Sequence, residues 1–138
     1  MNIIENSIDF CINFLAVIRK IATKLHLTPS QVLCIYAIPF NGISQSDLAI
    51  KLSIDISTLS RNLDKLIKLN IISKKGSLLD RRSYKISLTD KGEELYNNFI
   101  LTIKNKLNRS YNKLELEEYD QFEEILNKLN WQLELINK

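Results

Sequence analysis

The chain has 138 residues, 45% of them hydrophobic, which is enough for one domain with a buried core and short for two ordinary domains. A formal net charge of +3 identifies no class of partner by itself. The longest apolar run, residues 32–40, is far shorter than a membrane span, and the acidic N-terminal segment is unlike a signal sequence. We therefore expect a cytoplasmic protein with no membrane partner.

The first predicted helix begins near Ile4 and is apolar on two faces. On one face the apolar residues alternate in steps of four and three, which is the helical period. This face consists of Ile4, Ile8, Cys11, Leu15, Ile18, Ala22 and Leu25. The second face consists of Phe10, Phe14, Val17 and Ile21. Because one small domain rarely covers a helix from two directions, the pattern indicates contact with a partner chain.

A second predicted helix starts after Thr28, which is a suitable N-cap. Pro29 then occupies the first helical position, and Gln31 is placed to complete a capping box. We expect this helix to end before Pro39, because the residue preceding a proline disfavours helical geometry.

Two short helices separated by a tight turn are predicted next, between residues 44 and 69. Ser44 is a suitable N-cap for the first, and Asp47 supplies a carboxylate to its first turn. Asp55 is a suitable N-cap for the second. The apolar stripe of this second helix consists of Ile56, Leu59, Leu63, Leu66 and Ile67. The arrangement predicts a helix-turn-helix, a unit that places its second helix in the major groove of DNA.

The other face of the second helix is polar and basic. Its first turns carry small hydroxyl groups and one guanidinium, which suit base edges and phosphates, and its later turns carry lysines. These residues are Ser57, Thr58, Ser60, Arg61, Asp64, Lys65 and Lys68. An ordinary solvated helix face has the same composition, so the function of this face depends on the segment that follows.

A basic hairpin follows the second helix. Residues 71–75 and 84–88 are predicted as two strands, with Gly76 and Ser77 in the loop between them. A helix-turn-helix followed by such a hairpin is a winged helix, and cations on a wing suit the backbone or minor groove of DNA. The cations of the wing are Lys74, Lys75, Arg81, Arg82 and Lys85.

The distribution of charge supports a nucleic-acid partner. Residues 61–91 hold nine basic and three acidic side chains, a local charge of +6. Residues 92–138 hold six basic and nine acidic ones, a local charge of −3. The cations are thus concentrated on the predicted recognition helix and wing.

Two helices are predicted in the C-terminal part of the chain. The first has an apolar stripe of Leu95, Phe99, Ile103 and Leu107. The second has apolar positions with the same three-four spacing, namely Tyr119, Phe122, Leu126, Leu129, Leu133 and Ile136. Such a seam is typical of a helix that packs along a partner helix in a dimer. Packing against the preceding helix of the same chain is the alternative.

Residues 78–92 carry a family resemblance. Their sequence, Leu-Leu-Asp-Arg-Arg-Ser-Tyr-Lys-Ile-Ser-Leu-Thr-Asp-Lys-Gly, combines an Asp-x-Arg wing with a strand that ends in Leu-Thr-x-x-Gly. Together with the helix-turn-helix of residues 48–61, this pattern resembles the MarR family of dimeric winged-helix transcription regulators. The resemblance implies a mainly α fold in which terminal helices form a dimerisation domain around a winged helix-turn-helix with a two-stranded β wing.

The resemblance also implies a division of the single domain. Residues 28–91 would form the winged-helix DNA-binding lobe. Residues 1–27 and 92–138 would form the dimerisation helices.

The resemblance further implies a homodimer that binds a pseudo-palindromic operator in double-stranded DNA, with its recognition helices in major grooves about 10 base pairs apart. Arg61 is suited to bidentate contact with guanine. Arg82 would enter the minor groove, with Asp80 orienting it by pairing. The expected DNA-binding residues are Ser57, Thr58, Ser60, Arg61, Lys65, Lys68, Lys74, Lys75, Arg81 and Arg82.

The regulation implied by the resemblance is repression of a nearby operon, relieved by a small aromatic or anionic effector. The aromatic residues that could line an effector pocket are Phe14, Tyr36, Phe40 and Tyr96. Aromatic residues at helical spacing are also common in cores, so none of them is assigned as a ligand site.

The sequence carries no signature of an enzyme. His26 is the only histidine, and the chain lacks a glycine-rich phosphate loop, a cluster at metal-ligand spacing and an activated nucleophile. We expect no catalysis, cofactor or metal, and we expect His26 to interact with a helix dipole. A winged helix that binds protein instead of DNA is an alternative, although such a domain has no use for the local charge of +6.

A second alternative is a redox-sensing regulator that uses Cys11, since some members of the MarR family sense hydroperoxides through a cysteine in the first helix. The interval between Cys11 and Thr28 is shorter than in those members, and no cation stands beside Cys11 in sequence. Its place on an apolar stripe predicts a core residue. With only Cys11 and Cys34 present, we expect no structural disulfide.

Overall fold

The computed structural model describes residues 2–76 and 84–138. Within these residues the chain forms six helices and three short strands. In chain order they are α1 (Ile3–Lys24), α2 (Pro29–Ala37), β1 (Ile43–Ser44), α3 (Gln45–Leu52), α4 (Ile56–Lys68), β2 (Ile72–Lys75), β3 (Lys85–Leu88), α5 (Asp90–Tyr111) and α6 (Leu116–Ile136). The mainly α winged-helix fold expected from the sequence is confirmed.

Side chains just before α2, α3 and α4 fix the starts of these helices. The Thr28 hydroxyl accepts a hydrogen bond from Gln31 N at 3.2 Å, and Gln31 Oε1 accepts one from Thr28 N at 3.0 Å. Ser44 and Asp55 likewise accept from a backbone N–H in the first turn of α3 and of α4. These bonds satisfy N–H groups that have no partner inside the helix, and the three predicted starts are confirmed.

The wing contains one strand more than the sequence indicated. β3 pairs with β2 on one side and with β1 on the other, and both pairings are antiparallel. In β1, Ile43 lies opposite Ile86 and Ser44 lies opposite Lys85. The expectation of a two-stranded wing was incomplete, because a strand this short shows no alternation of apolar and polar residues. The additional strand ties the base of the wing to the start of α3.

Helices α1, α3 and α4 are each followed closely by a residue with left-handed backbone geometry. These residues are His26, Ser53 and Asn70, with φ of 57°, 51° and 59°. This geometry terminates a helix and lets the last carbonyls find partners. The backbone N–H of His26 donates to Thr23 O at 3.1 Å, so His26 helps to close the end of α1 through its main chain.

The hydrophobic core lies within the winged-helix lobe. Four leucines from α3 and α4 are almost completely shielded from solvent, namely Leu48, Leu59, Leu63 and Leu66. The C-terminal half of α1 and the middle of α5 close this core through Ile18, Ile21, Ala22 and Phe99. The apolar stripe predicted for α4 is correct at its centre and wrong at Ile56 and Ile67, which are exposed at the two ends of the helix.

A tight junction connects the wing to α5. The Thr89 hydroxyl caps α5 by accepting from Gly92 N at 3.0 Å and donates to Asn70 O at 2.6 Å, while Thr89 N donates to Ile71 O at 3.0 Å. Gly92 packs against the same carbonyl, since a Cβ on Gly92 would lie 2.0 Å from Ile71 O. This close approach explains the Thr and the Gly of the Leu-Thr-x-x-Gly pattern.

The terminal helices expose most of their apolar residues. No residue of α6 is buried, and Leu116, Trp131 and Ile136 are among its most exposed side chains. Packing within the chain shields Phe122 and Leu126 only in part, with the ring of Phe10 on α1 lying 6.1 Å from that of Phe122. Despite this apolar surface, none of the described helices is long and apolar enough to cross a membrane.

The two cysteines lie in different environments, and neither forms a disulfide. Cys11 is exposed on α1, so the expectation that it belongs to the core was wrong for the single chain. The stripe that contains Cys11 is buried only toward its C-terminal end, at Ile18 and Ala22. Cys34 on α2 is buried, and burial raises the pKa of its thiol to about 11 even though a hydrogen bond with Asn62 opposes the rise.

Candidate nucleic-acid interface

The candidate interface is built around the first turns of α4. The structure places the predicted polar residues of this helix on one accessible surface. Ser57, Arg61, Lys65 and Lys68 are exposed, and Thr58 and Ser60 are half-buried. A single helix face therefore presents hydroxyl groups and a guanidinium first and ammonium groups later.

The Asp55 carboxylate orders the first turn of α4. It accepts hydrogen bonds from the Ser57 hydroxyl, from Thr58 N at 2.8 Å and from the Thr58 hydroxyl at 3.0 Å. These bonds, that of the Ser57 hydroxyl above all, lower the pKa of Asp55 to about 2 from its ordinary value of 3.8. Asp55 is thus ionised at neutral pH and holds both hydroxyl groups in place.

Arg61 belongs to the same network. Its guanidinium donates to the Thr58 hydroxyl at 3.3 Å, and that hydroxyl in turn donates to Asp55. A chain of hydrogen bonds therefore runs from Asp55 through Thr58 to Arg61. A guanidinium carries five N–H donors, so this single bond restrains Arg61 and leaves donors for an external acceptor.

Gln45 fixes the position of Ser60. The Gln45 side chain is buried at the start of α3, and its Nε2 donates to the Ser60 hydroxyl at 2.8 Å. The hydroxyl accepts this bond and keeps its own proton for another acceptor. The bond thus joins the two helices of the helix-turn-helix and orients one of the predicted DNA-binding residues.

The base of the wing adds ammonium groups beside α4. Lys74 Nζ lies 4.3 Å from the centre of the Tyr84 ring, a cation–π contact that restrains an otherwise flexible side chain. Lys75 lies directly opposite Lys85 in the antiparallel pairing of β2 and β3, and both are exposed. Like charges opposite one another destabilise a sheet, and an anionic partner would relieve the repulsion.

Arg61 is linked to Asp55 only indirectly, and the cations of this surface form no direct salt bridge with an acidic side chain among the described residues. Within residues 2–76 and 84–138, the salt bridge that forms joins Lys128 to Glu124 on α6, far along the chain from the interface. Asp80, Arg81 and Arg82 lie outside the described residues, so their proposed roles in the wing stay predictions.

A separate cleft of about 460 Å³ lies between the lobe and α5. Three of the aromatic residues considered for an effector pocket line it, namely Tyr36, Phe40 and Tyr96, whereas Phe14 does not. The rings of Tyr36 and Tyr96 stack with centroids 6.0 Å apart and planes 13° apart. Lys51 contributes one ammonium group to the cleft, and its Nζ also donates to Ala37 O at 2.8 Å.

The winged-helix part of the chain matches the model of one protein family. The model of the MarR family matches residues 27–84, which hold α2, the helix-turn-helix and the base of the wing. Over these residues the chain is similar to the MarR family. Proteins of this family are transcription regulators and not enzymes. No match is found among curated proteins.

Solved structures of MarR-family proteins share the fold over nearly the whole chain. A MarR protein of Peptoclostridium difficile is 24% identical with a TM-score of 0.81, and the match covers 99% of this chain and 90% of that one. The transcriptional regulator SlyA is 18% identical with a TM-score of 0.80, and the coverage is 99% and 97%. A MarR-family transcriptional regulator from Listeria monocytogenes, complexed with 26mer DNA, is 20% identical with a TM-score of 0.80 and coverage of 99% and 92%.

Three residues of this surface were missed by sequence reasoning. Gln45 gave no signal, because its partner Ser60 is 15 residues away. Tyr84 was assigned only to a strand, although an aromatic residue next to a basic loop is a usual partner for a lysine. Ile56 was assigned to the core because it fits the helical period, and only the structure shows its exposure.

Proposed function

We propose that the protein is a sequence-specific, homodimeric repressor of a nearby operon that binds double-stranded DNA and is released by a small effector. The ordered first turn of α4 carries the proposal, because Asp55 acts through Thr58 to restrain Arg61 at an exposed surface. The lysines that flank this turn form no salt bridge with an acidic side chain in the described part of the chain. Because such a regulator must reach the DNA, we also propose that the protein is located in the cytoplasm.

The proposed contacts divide into base recognition and phosphate binding. Arg61 would contact guanine through two N–H donors, while the hydroxyls of Ser57, Thr58 and Ser60 would contact base edges and nearby phosphates. Lys65, Lys68, Lys74 and Lys75 would neutralise phosphates. On the wing, Arg82 would enter the minor groove, Asp80 would orient it, and Arg81 would add positive charge.

The proposed dimer rests on the apolar surface of the terminal helices. The N-terminal half of α1 exposes Ile3, Ile4, Ile8 and Ile12, and α6 exposes most of its seam. Monomeric proteins rarely leave contiguous apolar patches of this kind in water. We infer that residues 1–27 and 92–138 bind the same residues of a second copy, and that residues 28–91 form the lobe that each copy sets on one half of a pseudo-palindromic operator.

The proposed effector site is the cleft between the lobe and α5. Its stacked tyrosines suit an aromatic ring, and the ammonium group of Lys51 suits an anionic group, although the Glu93 carboxylate also lines the cleft. Titration with a panel of small aromatic carboxylates should lower the affinity of the wild type for DNA. The exposed Tyr36 offers the test variant, since Tyr36→Ala should bind DNA normally and lose this response. A response that survives Tyr36→Ala would place the effector elsewhere.

Fluorescence anisotropy over a salt series tests DNA binding. On its operator, Arg61→Ala should lose about 1 to 3 kcal/mol of binding free energy and much of its sequence preference, because a base contact is removed. Lys68→Ala should weaken binding to every sequence about equally and reduce the salt slope by about one, because a phosphate contact is removed. Lys104, an exposed lysine on α5, provides the control, and Lys104→Ala should change neither quantity.

The same titrations distinguish a DNA-binding regulator from a protein-interaction module. A regulator should bind the DNA upstream of its own gene more tightly than a random duplex of equal length. Equal affinity for the two duplexes at every salt concentration would contradict sequence-specific regulation and favour the module that binds protein.

The exposure of Cys11 favours a second candidate function, a redox-sensing regulator. Oxidation of an accessible thiol by a hydroperoxide would place a polar group on the apolar face that we propose for the dimer. Treatment with an organic hydroperoxide should then lower the DNA affinity of the wild type but not of Cys11→Ser. Equal sensitivity of the two proteins would remove Cys11 from the mechanism.

A further inference from the structure

An isoleucine lies exposed beside the proposed base-reading residues. Ile56 is the first residue of α4 and leaves 55% of its surface accessible. It lines a groove of about 350 Å³ together with Gln45, Ser60, Lys74 and Tyr84. Ile56 and Ser60 are four residues apart on one helix, so their side chains project from the same face.

Ile56 lies where α4 faces the base of the wing. Its side chain is the apolar member of a groove that also holds the Ser60 hydroxyl and the ammonium group of Lys74. Lys74 is held there by its contact with the Tyr84 ring. A charged lysine at the rim disfavours a purely apolar occupant such as a helix from another protein and favours an anionic molecule that presents a small apolar group.

Double-stranded DNA has one apolar group on its base edges in the major groove, the C5-methyl of thymine. Phosphates would meet Lys74, and hydrogen-bonding base edges would meet Ser60 and Arg61, but neither suits an isoleucine. We propose that Ile56 is a specificity-determining residue that packs on the C5-methyl of one thymine in each half of the operator. The inference rests on the proposed function, because it requires α4 to lie in the major groove.

Replacement of thymine by deoxyuridine tests the inference, since it removes only the methyl group and leaves base pairing intact. The operator is first selected from a pool of random duplexes with the wild-type protein, and each thymine is then replaced singly. We expect one position in a half-site at which deoxyuridine weakens wild-type binding about fourfold, the value for losing one buried methyl group. Ile56→Ala should bind the thymine and deoxyuridine forms equally, and Ile56→Val should keep most of the difference.

Ile50 on α3 provides a matched control because it is also 55% exposed. Ile50→Ala should discriminate thymine from deoxyuridine as the wild type does. Since Ile56 is exposed, its replacement should leave the thermal unfolding midpoint unchanged, which separates loss of contact from loss of fold.

The possible failures are distinguishable. Selection that yields no preferred sequence contradicts the proposed function and the inference with it. A preferred sequence without any deoxyuridine effect overturns the inference alone, and so does a deoxyuridine effect that persists in Ile56→Ala.

Discussion

The winged-helix lobe and the terminal helices use apolar residues in opposite ways. In the lobe, Leu48, Leu59 and Leu66 have no measurable exposure, and the neighbouring helices of the same chain cover them. On α6, a seam with the same three-four spacing leaves Leu129 and Leu133 about half exposed. The helical period is the same in both regions, so the spacing of apolar residues does not by itself show whether the same chain covers a helix face.

The difference also separates two sources of stability. The lobe gains its stability from contacts that one chain makes alone, so we expect its folding to be independent of protein concentration. In the proposed dimer, the terminal helices would gain much of theirs by association, which follows mass action. Substitutions in the two regions should therefore respond differently to protein concentration.

Gly92→Ala should lower the free energy of unfolding by about 3 kcal/mol, because the new Cβ would lie 2.0 Å from Ile71 O and force the backbone of the junction apart. Urea unfolding followed by circular dichroism measures this loss. Asn98→Ala, at an exposed position of the same helix, is the control and should be nearly neutral. Similar stability of Gly92→Ala and the control would show that the junction is not tightly packed.

Leu63→Ala should destabilise the lobe by about 2 to 5 kcal/mol at every protein concentration, because it leaves a cavity in a closed core. Leu129→Ala on α6 should behave differently, since its effect depends on a partner. We expect its loss of stability to be small in dilute protein and larger in concentrated protein. Unfolding curves at two protein concentrations a hundredfold apart measure this, and two parallel losses would contradict the distinction between the regions.

Leu133→Glu should weaken the dimer at least tenfold. Each copy would bring a charge into an apolar interface and would lose the burial of a leucine side chain, which contributes roughly 1.5 to 3 kcal/mol. Sedimentation equilibrium measures the dissociation constant. Gln132→Glu adds the same charge at the neighbouring position outside the apolar seam and serves as the control. A wild type that stays monomeric at high concentration would contradict the proposed dimer itself.

The smallest predicted effect concerns the Asp55 carboxylate, which orders the first turn of α4 at the surface of the lobe. The pKa of Asp55 is about 2 in the folded chain against an ordinary value of 3.8, so its charge stabilises the fold above about pH 4, and this contribution is lost as the pH falls toward 2. Asp55→Asn can still cap α4 but carries no charge. The excess thermal stability of the wild type over Asp55→Asn should shrink across this range. A difference that is independent of pH would exclude the ionised carboxylate as its source.

The parts of the fold that depend on neighbours in sequence were predictable. The starts of α2, α3 and α4 follow from Thr28, Ser44 and Asp55, because a capping side chain bonds to an N–H only two or three residues away. The helix-turn-helix and its basic face were also predictable, because both depend on the spacing of residues that are close together in sequence. The structure places the candidate residues of α4 on one surface, but their DNA contacts stay predictions, as do those of the wing beyond Gly76.

The remaining features depend on distant partners. β1 is defined by its pairing with β3 more than 40 residues later, and neither Ile43 nor Ser44 signals a strand locally. The bond from Gln45 to Ser60 likewise joins two helices. Cys11 was misassigned because its stripe is continuous in sequence but leaves the lobe halfway along α1. Helical periodicity cannot show where the neighbouring elements stop.

The contact of Gly92 with the Ile71 carbonyl has a mechanical consequence. With Thr89 bonded to both Asn70 and Ile71, the end of α4, the start of β2 and the first turn of α5 are in direct contact. We expect such a close junction to transmit rotation, so that a tilt of α5 would also move α4. In the proposed dimer, any change in the spacing of the two lobes would then be accommodated along the exposed length of α5 or in the connection between α1 and α2.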